Sequence, residues 1–174
     1  MAETVLKAAD AAPGGAVLSD ELRAGFKGAM RRLASGVAVI TANGANGPLG
    51  LTATSITSMC AEPPTVLVCV NQSASIHGAL AVGQPICVNL LARDQQDVSG
   101  AFGGKLPPEE RFGVGNWEPD HNGVSRLVDA QANISGTIDQ LTPYGTHSIV
   151  IVRVEDVRLT GPVSPLIYQD GGYL

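Results

Sequence analysis

The sequence predicts a mainly β protein, an antiparallel barrel, closed or split, with a few short flanking helices. Three observations carry this expectation. First, Leu127–Gln140 alternates over its whole length. Val128, Ala130, Ala132, Ile134, Gly136 and Ile138 face one way, and Asp129, Gln131, Asn133, Ser135, Thr137 and Asp139 the other, the period of a strand with one wet face. Second, Asn43-Gly44-Ala45-Asn46-Gly47-Pro48 separates two apolar strand-like runs, and Asn-Gly pairs are strong hairpin signals. Third, the 174 residues hold 21 Gly and 11 Pro with only 4% aromatics, so the core is built from Val, Ile, Leu and Ala between many turns. No alternation of strand and helix suggests a parallel sheet.

The elements follow in order. Residues 1–18 are Ala-rich, broken by Pro13-Gly14-Gly15, and are expected to form a flexible N-terminal arm ahead of one domain over 19–174. Ser19 is a good N-cap for a helix whose Leu22, Phe26, Met30 and Leu33 form one apolar face. Arg23, Lys27, Arg31 and Arg32 form its solvated side. Gly36–Ala42 and Leu49–Thr57 read as strands, and Thr65–Val70 as a buried strand after Pro63-Pro64. Ser73–Val82 reads as a short helix, Ile86–Leu91 as a strand, and Asp94–Phe102 as a helix with Val98, Ala101 and Phe102 inward. Gly103–Gly123 is loop with a helical turn near Pro108–Phe112; Thr146–Leu159 and Leu166–Tyr168 are the last strands.

Composition excludes several functions. A net charge of -5 gives no basic face for nucleic acid. No segment has the roughly 18 apolar residues of a membrane span, and Glu3 and Asp10 interrupt any signal-peptide pattern, so a cytoplasmic protein is expected. Cys60, Cys69 and Cys87 form no CxxC pair and read as reduced, buried side chains. His77, His121 and His147 lack metal-ligand spacing, so no metal site is expected. Gly103-Gly104-Lys105-Leu106 is no P-loop, because Leu106 stands where Ser or Thr is required, and no G-x-S-x-G occurs.

Two polar strand ends remain. Thr52, Ala53, Thr54 and Ser55 close one apolar run, and Asn71, Ser73 and Ser75 close another just before the expected helix. Thr is also an ordinary strand former, so the first run alone has a purely structural explanation. Together they suit a multi-oxygen anionic ligand, with Ser73 or Ser75 capping a helix whose N–H groups hold a phosphate. Lys105 offers a mobile positive charge for the same phosphate, and Asn89, set in an apolar strand, must bond either backbone or ligand.

GLTATSIT, PPTVLVCVNQSASIHGAL, ICVNLLARDQQDVSGAFGGK, HSIVIVRV and LIYQDGGY resemble the successive blocks of the short-chain flavin reductases, the small components of two-component flavin-dependent monooxygenases. The resemblance spans Phe26–Tyr173. It implies an FMN-binding split barrel, a homodimer, and NAD(P)H:flavin oxidoreductase activity with FMN or FAD and NADH or NADPH. Reduced flavin would pass to a separate monooxygenase. By the same resemblance Thr52–Ser55 line the isoalloxazine and ribityl chain, Asn71, Ser73 and Ser75 bind ribityl and phosphate, and Asn89, Phe102 and Lys105 close the distal side. His147 matches the His of a Gly-Asp-His-Thr strand start near the nicotinamide, with Thr146 replacing the acidic neighbour, and Tyr168 matches the aromatic of the last strand. The competing expectation is a split-barrel protein that holds flavin or haem without turnover.

Overall fold

A computed structural model describes residues 19–174; the expected arm over residues 1–18 lies outside the described residues. Helix α1 (Asp20–Met30) starts where expected, with the Ser19 hydroxyl accepting from the Leu22 N–H at 3.2 Å. Its apolar face, however, is not buried: Phe26 is 63% exposed, Met30 48% and the following Leu33 59%.

Strands β1 (Ser35–Gly36), β2 (Ala38–Gly44), β3 (Gly47–Ala53), β4 (Ile56–Ala61), β5 (Pro64–Asn71) and β6 (Pro85–Leu90) follow. Helix α2 (Gln96–Gly100) runs into a wider turn over Ala101–Lys105, where Gly104 adopts φ +107°. A 3-10 turn covers Pro108–Gly113, close to the expected position. Then come β7 (Trp117–Pro119), β8 (Ser125–Leu127), β9 (Ala132–Tyr144), β10 (His147–Leu159), β11 (Ile167–Gln169) and β12 (Gly172–Tyr173).

Seven strands form one antiparallel sheet in the order β3-β2-β6-β9-β10-β5-β4. Its two edges, β3 and β4, are consecutive in the chain and not hydrogen-bonded to each other. Small sheets accompany it: β1-β11-β12 and the β7-β8 hairpin. The period of two in β2 distributes its side chains to two cores. Ala38, Ile40 and Ala42 join Val68, Val70, Ile86, Val88, Ile138 and Val150 inside the curved sheet. Val37 and Val39 turn the other way, onto Leu91, Val98, Phe102, Leu127 and Leu166 beneath α2. Val98, Ala101 and Phe102 are buried as their spacing requires.

Three expectations are corrected. Leu49–Thr57 is two strands, broken at Thr54-Ser55, because the chain turns there from one sheet edge to the other. Ser73–Val82 contains only a 3-10 turn at His77–Ala79, preceded by Ile76 with no side-chain cap. The polar side of Leu127–Gln140 is wet only at its ends: Asp129 and Asp139 are exposed, but Asn133 and Ser135 are 2% exposed, with Asn133 Nδ2 donating to the Leu127 carbonyl of β8, and the strand begins at Ala132. Of the cysteines, Cys87 is buried, Cys69 half-buried and Cys60 exposed, all with free thiols.

Candidate functional site

Two clefts meet at the end of β3. One, about 240 Å³, is lined by Val37, Thr52, Thr54, Lys105, Tyr168 and Tyr173. The other, about 440 Å³, is lined by Leu51, Thr52, Ser73, Ser75, Phe102 and Arg111. Thr52 and Gly103 belong to both. A third, about 330 Å³, opens from the first past Thr54 and Tyr168 toward Phe26, Met30 and Leu33.

The strand geometry sorts the Thr-rich run. Alternation sends Ala53 into the core, 8% exposed, so it offers only backbone. Thr52 donates its hydroxyl to the Ser99 carbonyl at 2.7 Å, tying β3 to α2. Thr54 is exposed at the junction of the clefts. Ser55 turns away; its hydroxyl donates to the Cys69 carbonyl, and its own carbonyl accepts from the Cys69 N–H, both at 3.1 Å. That pair closes the corner into β4.

Asn71 organises the end of β5. Its Oδ1 accepts from the Ser73 N–H at 2.9 Å and the Ser73 hydroxyl at 2.8 Å, a turn of the kind Asn side chains favour. Ser73 and Ser75 therefore reach the cleft from this turn and not from a helix N-terminus. His147 pairs with Asn71 across β5-β10; its carbonyl accepts from Gln72 Nε2 at 2.9 Å, and its Nδ1 lies 2.9 Å from Thr146 Oγ1. It is exposed and lines none of the three clefts.

Asn89 is a correction. It is fully buried, and its amide is spent on the protein. Nδ2 donates to the Val39 carbonyl at 2.9 Å; Oδ1 accepts from Leu127 N–H and Asn133 Nδ2, each at 2.8 Å. It fastens β8 over the sheet and contacts no cleft. Phe102 is 2% exposed and serves as a floor, with the Phe112 ring edge-on at 5.0 Å and Trp117 at 5.1 Å. Gly50 makes room for it: a Cβ there would stand 2.6 Å from Phe102 Cε1. Tyr168 is 38% exposed and packs edge-on against Tyr173 at 5.5 Å.

Residues 30–174 match the family model of the flavin reductase like domain. The chain belongs to that family. It is 39% identical over 151 residues to FMN reductase (NADH) RutF of Variovorax paradoxus, covering 87% of this chain and 84% of the relative. A flavin reductase domain protein from Arthrobacter sp. FB24 superposes with a TM-score of 0.81 at 32% identity, over 87% of this chain and 94% of that one. Nitrilotriacetate monooxygenase component B from Mycobacterium thermoresistibile gives 0.80 at 27%, over 87% and 85%.

This flavin reductase-like domain also uses residues that sequence reasoning did not select. Ser99 Oγ lies 2.8 Å from the Tyr173 hydroxyl, linking α2 to the C-terminal strand at the floor of the smaller cleft. Arg111 donates Nε to the Leu106 carbonyl and Nη1 to the Gly50 carbonyl, both at 3.1 Å, and lines the larger cleft. Neither carried a local signal. Ser99 sits in an ordinary helical stretch, and Arg111 follows Glu109-Glu110 in a loop, where charge reads as solvated surface.

Proposed function

We propose that this chain transfers hydride from NADH to FMN or FAD and hands the reduced flavin to a separate monooxygenase, as its reductase component. The observation that carries the reading is the meeting of two clefts at Thr52 and Gly103, one hydroxyl-lined and the other walled by Tyr168 and Tyr173. The kinship with FMN reductase (NADH) RutF and with a monooxygenase component supports it.

The residues present fit a flavin. Its ribityl chain and phosphate require donors, which the Thr54 and Ser75 hydroxyls offer; the Thr52 and Ser73 hydroxyls, spent on the Ser99 carbonyl and Asn71 Oδ1, can accept from the ribityl hydroxyls. Its flat ring requires close backbone, and Gly103-Gly104 is bare: a Cβ at Gly104 would meet nothing within 4 Å, and one at Gly103 only Thr52 at 3.9 Å. When both are bound, the nicotinamide supplies the hydride and the flavin accepts it. The protein's part is orientation and exclusion of water. Thr52 is held by Ser99, Phe102 is wedged beneath β3, and the Tyr168-Tyr173 pair walls the smaller cleft. No side chain has to exchange a proton in that transfer. The resemblance assigns His147 to the nicotinamide, and we keep that role as a proposal.

Hydroxyl and amide donors predominate, which favours a flavin held at micromolar affinity and released after reduction. We further read the sheet as a split barrel, because β3 and β4 bring its two edges to one corner of the chain. A homodimer is proposed from the exposed apolar face of α1, and cytoplasmic location from the sequence.

The test is NADH oxidation with FMN, with FAD and with no flavin. Consumption of NADH only when flavin is added supports the reading. Flavin binding without NADH oxidation would defeat it in favour of a non-catalytic flavin protein.

A further inference from the structure

Trp117, the chain's single tryptophan, lines none of the three clefts, yet it bears on their floor from behind. Its ring centroid lies 5.1 Å from that of Phe102 and 5.1 Å from that of Phe112, while the two phenyl rings meet edge-on at 5.0 Å. Each ring touches both others, so none can tilt without displacing a neighbour. Of the three, Phe102 alone lines the larger cleft. Strand β3 stands over it so closely that a Cβ at Gly50 would lie 2.6 Å from Phe102 Cε1. Phe102 is therefore gripped between a strand on one side and the indole on the other.

The indole is itself held. Its Nε1–H donates to the Val114 carbonyl at 2.8 Å, which sets the plane of the ring. Trp117 rides on β7, opposite Leu127 of β8. The hairpin is fastened to β2 at two points: the Thr41 hydroxyl donates to the Ser125 carbonyl at 2.6 Å, and Asn43 Nδ2 donates to the Gly123 carbonyl at 3.0 Å. A surface hairpin thus carries a rigid strut to the back of the larger cleft. Tyr168 and Tyr173, which wall the smaller cleft, form a separate aromatic pair.

We propose that Trp117 is a positioning residue for the bound flavin, acting through Phe102. Without the indole, Phe102 can sink from the cleft, and Gly103-Gly104, next in the chain, move with it. The surface that fixes the depth of the flavin ring is then lost. Hydride transfer depends on that depth, because reacting atoms must be held about 3 to 3.5 Å apart. Trp117 does not touch the smaller cleft, so capture of NADH is independent of it. This inference rests on the reading of the clefts as a flavin site.

FMN titrations followed by flavin fluorescence, and NADH oxidation at saturating FMN, test it on the full chain at a temperature where every variant is folded. Trp117→Ala should weaken FMN binding roughly 10-fold and lower kcat by about 10-fold or more, with the KM for NADH changed by less than about twofold. Trp117→Phe, which restores a ring, should recover most of both losses. Val152→Ala empties a buried position in the other core and should cost stability while leaving FMN affinity and kcat unaltered. A Trp117→Ala variant that is less stable but binds FMN and turns over like the wild type would overturn the proposal. So would deficits that Trp117→Phe does not recover, or equal deficits in Val152→Ala. If Trp117→Ala does not fold, Trp117→Leu is read by the same quantities, and unchanged FMN affinity and kcat overturn the proposal. Wild-type protein that binds no FMN refutes the flavin reading itself; wild type and Trp117→Ala that bind FMN equally refute only the positioning role.

Discussion

Asn89 shows how one buried amide serves a fold. Set between apolar neighbours on β6, it satisfies the Val39 carbonyl and the Leu127 N–H, which have no water within reach. Asn89→Ala should lower stability by about 3 kcal/mol, since it strands buried backbone groups and leaves a cavity. Flavin affinity of the folded fraction should not change; chemical denaturation together with a flavin titration checks both. Cys87 yields a pH prediction. Burial, opposed mainly by a hydrogen bond with Ser135, pushes its thiol from an ordinary 9.0 up to about 12. Between those values the unfolded chain loses the proton and the native chain keeps it, so stability falls as pH rises through that window, by about 1.4 kcal/mol per pH unit from this group. Cys87→Ala should remove that share of the alkaline decline and leave the slope below pH 9 unaltered. Stability measured across pH 8 to 12 shows it.

Among the elements, β9 and β10 form the spine of the sheet, and their ladder passes two irregularities, at Ile151/Val152 and Val154/Asp156. Gly136 faces the second, and a Cβ there would collide with the Arg153 carbonyl. Backbone cannot swing aside as a side chain does. Gly136→Ala should therefore cost about 3 kcal/mol or more, with loss of strand signal in the far-ultraviolet on mild heating. The strands themselves were legible, because β2, β5, β6 and β10 are short runs rich in Val, Ile and Leu bounded by Gly, Pro or polar turn residues. The break between β3 and β4 was not: Leu49–Thr57 holds no Pro, and Gly50 sits well before the corner, so the turn comes from tertiary hydrogen bonds between Ser55 and Cys69. The burial of Asn133 in the polar face of β9 was hidden for a similar reason: it looks solvent-facing until Asn89 and the Leu127 carbonyl of β8 take its amide.

For the whole molecule, the sequence placed Thr52, Ser73, Ser75 and Phe102 in one group, and they line one cleft. It also placed Asn89 there and passed over Arg111, because a contact between residues 50 and 111 leaves no trace in local pattern. The same limit applies to α1. Leu22, Phe26, Met30 and Leu33 read as one apolar face, yet nothing in the described chain covers Phe26, Met30 or Leu33. If a twin molecule does, Phe26→Glu should yield a monomer by light scattering, with helix and strand content retained; a monomeric wild type at working concentration would remove the homodimer from the proposal.

The seam between β3 and β4 has a mechanical meaning. Every other neighbouring pair of strands in the seven-stranded sheet is laced together by ladder bonds, and prising them apart would sacrifice several at once. Along this seam there are none to sacrifice, and the larger cleft runs beside its β3 margin. Opening the sheet at this margin would therefore break no ladder bond, whereas opening it between any two paired strands would break several.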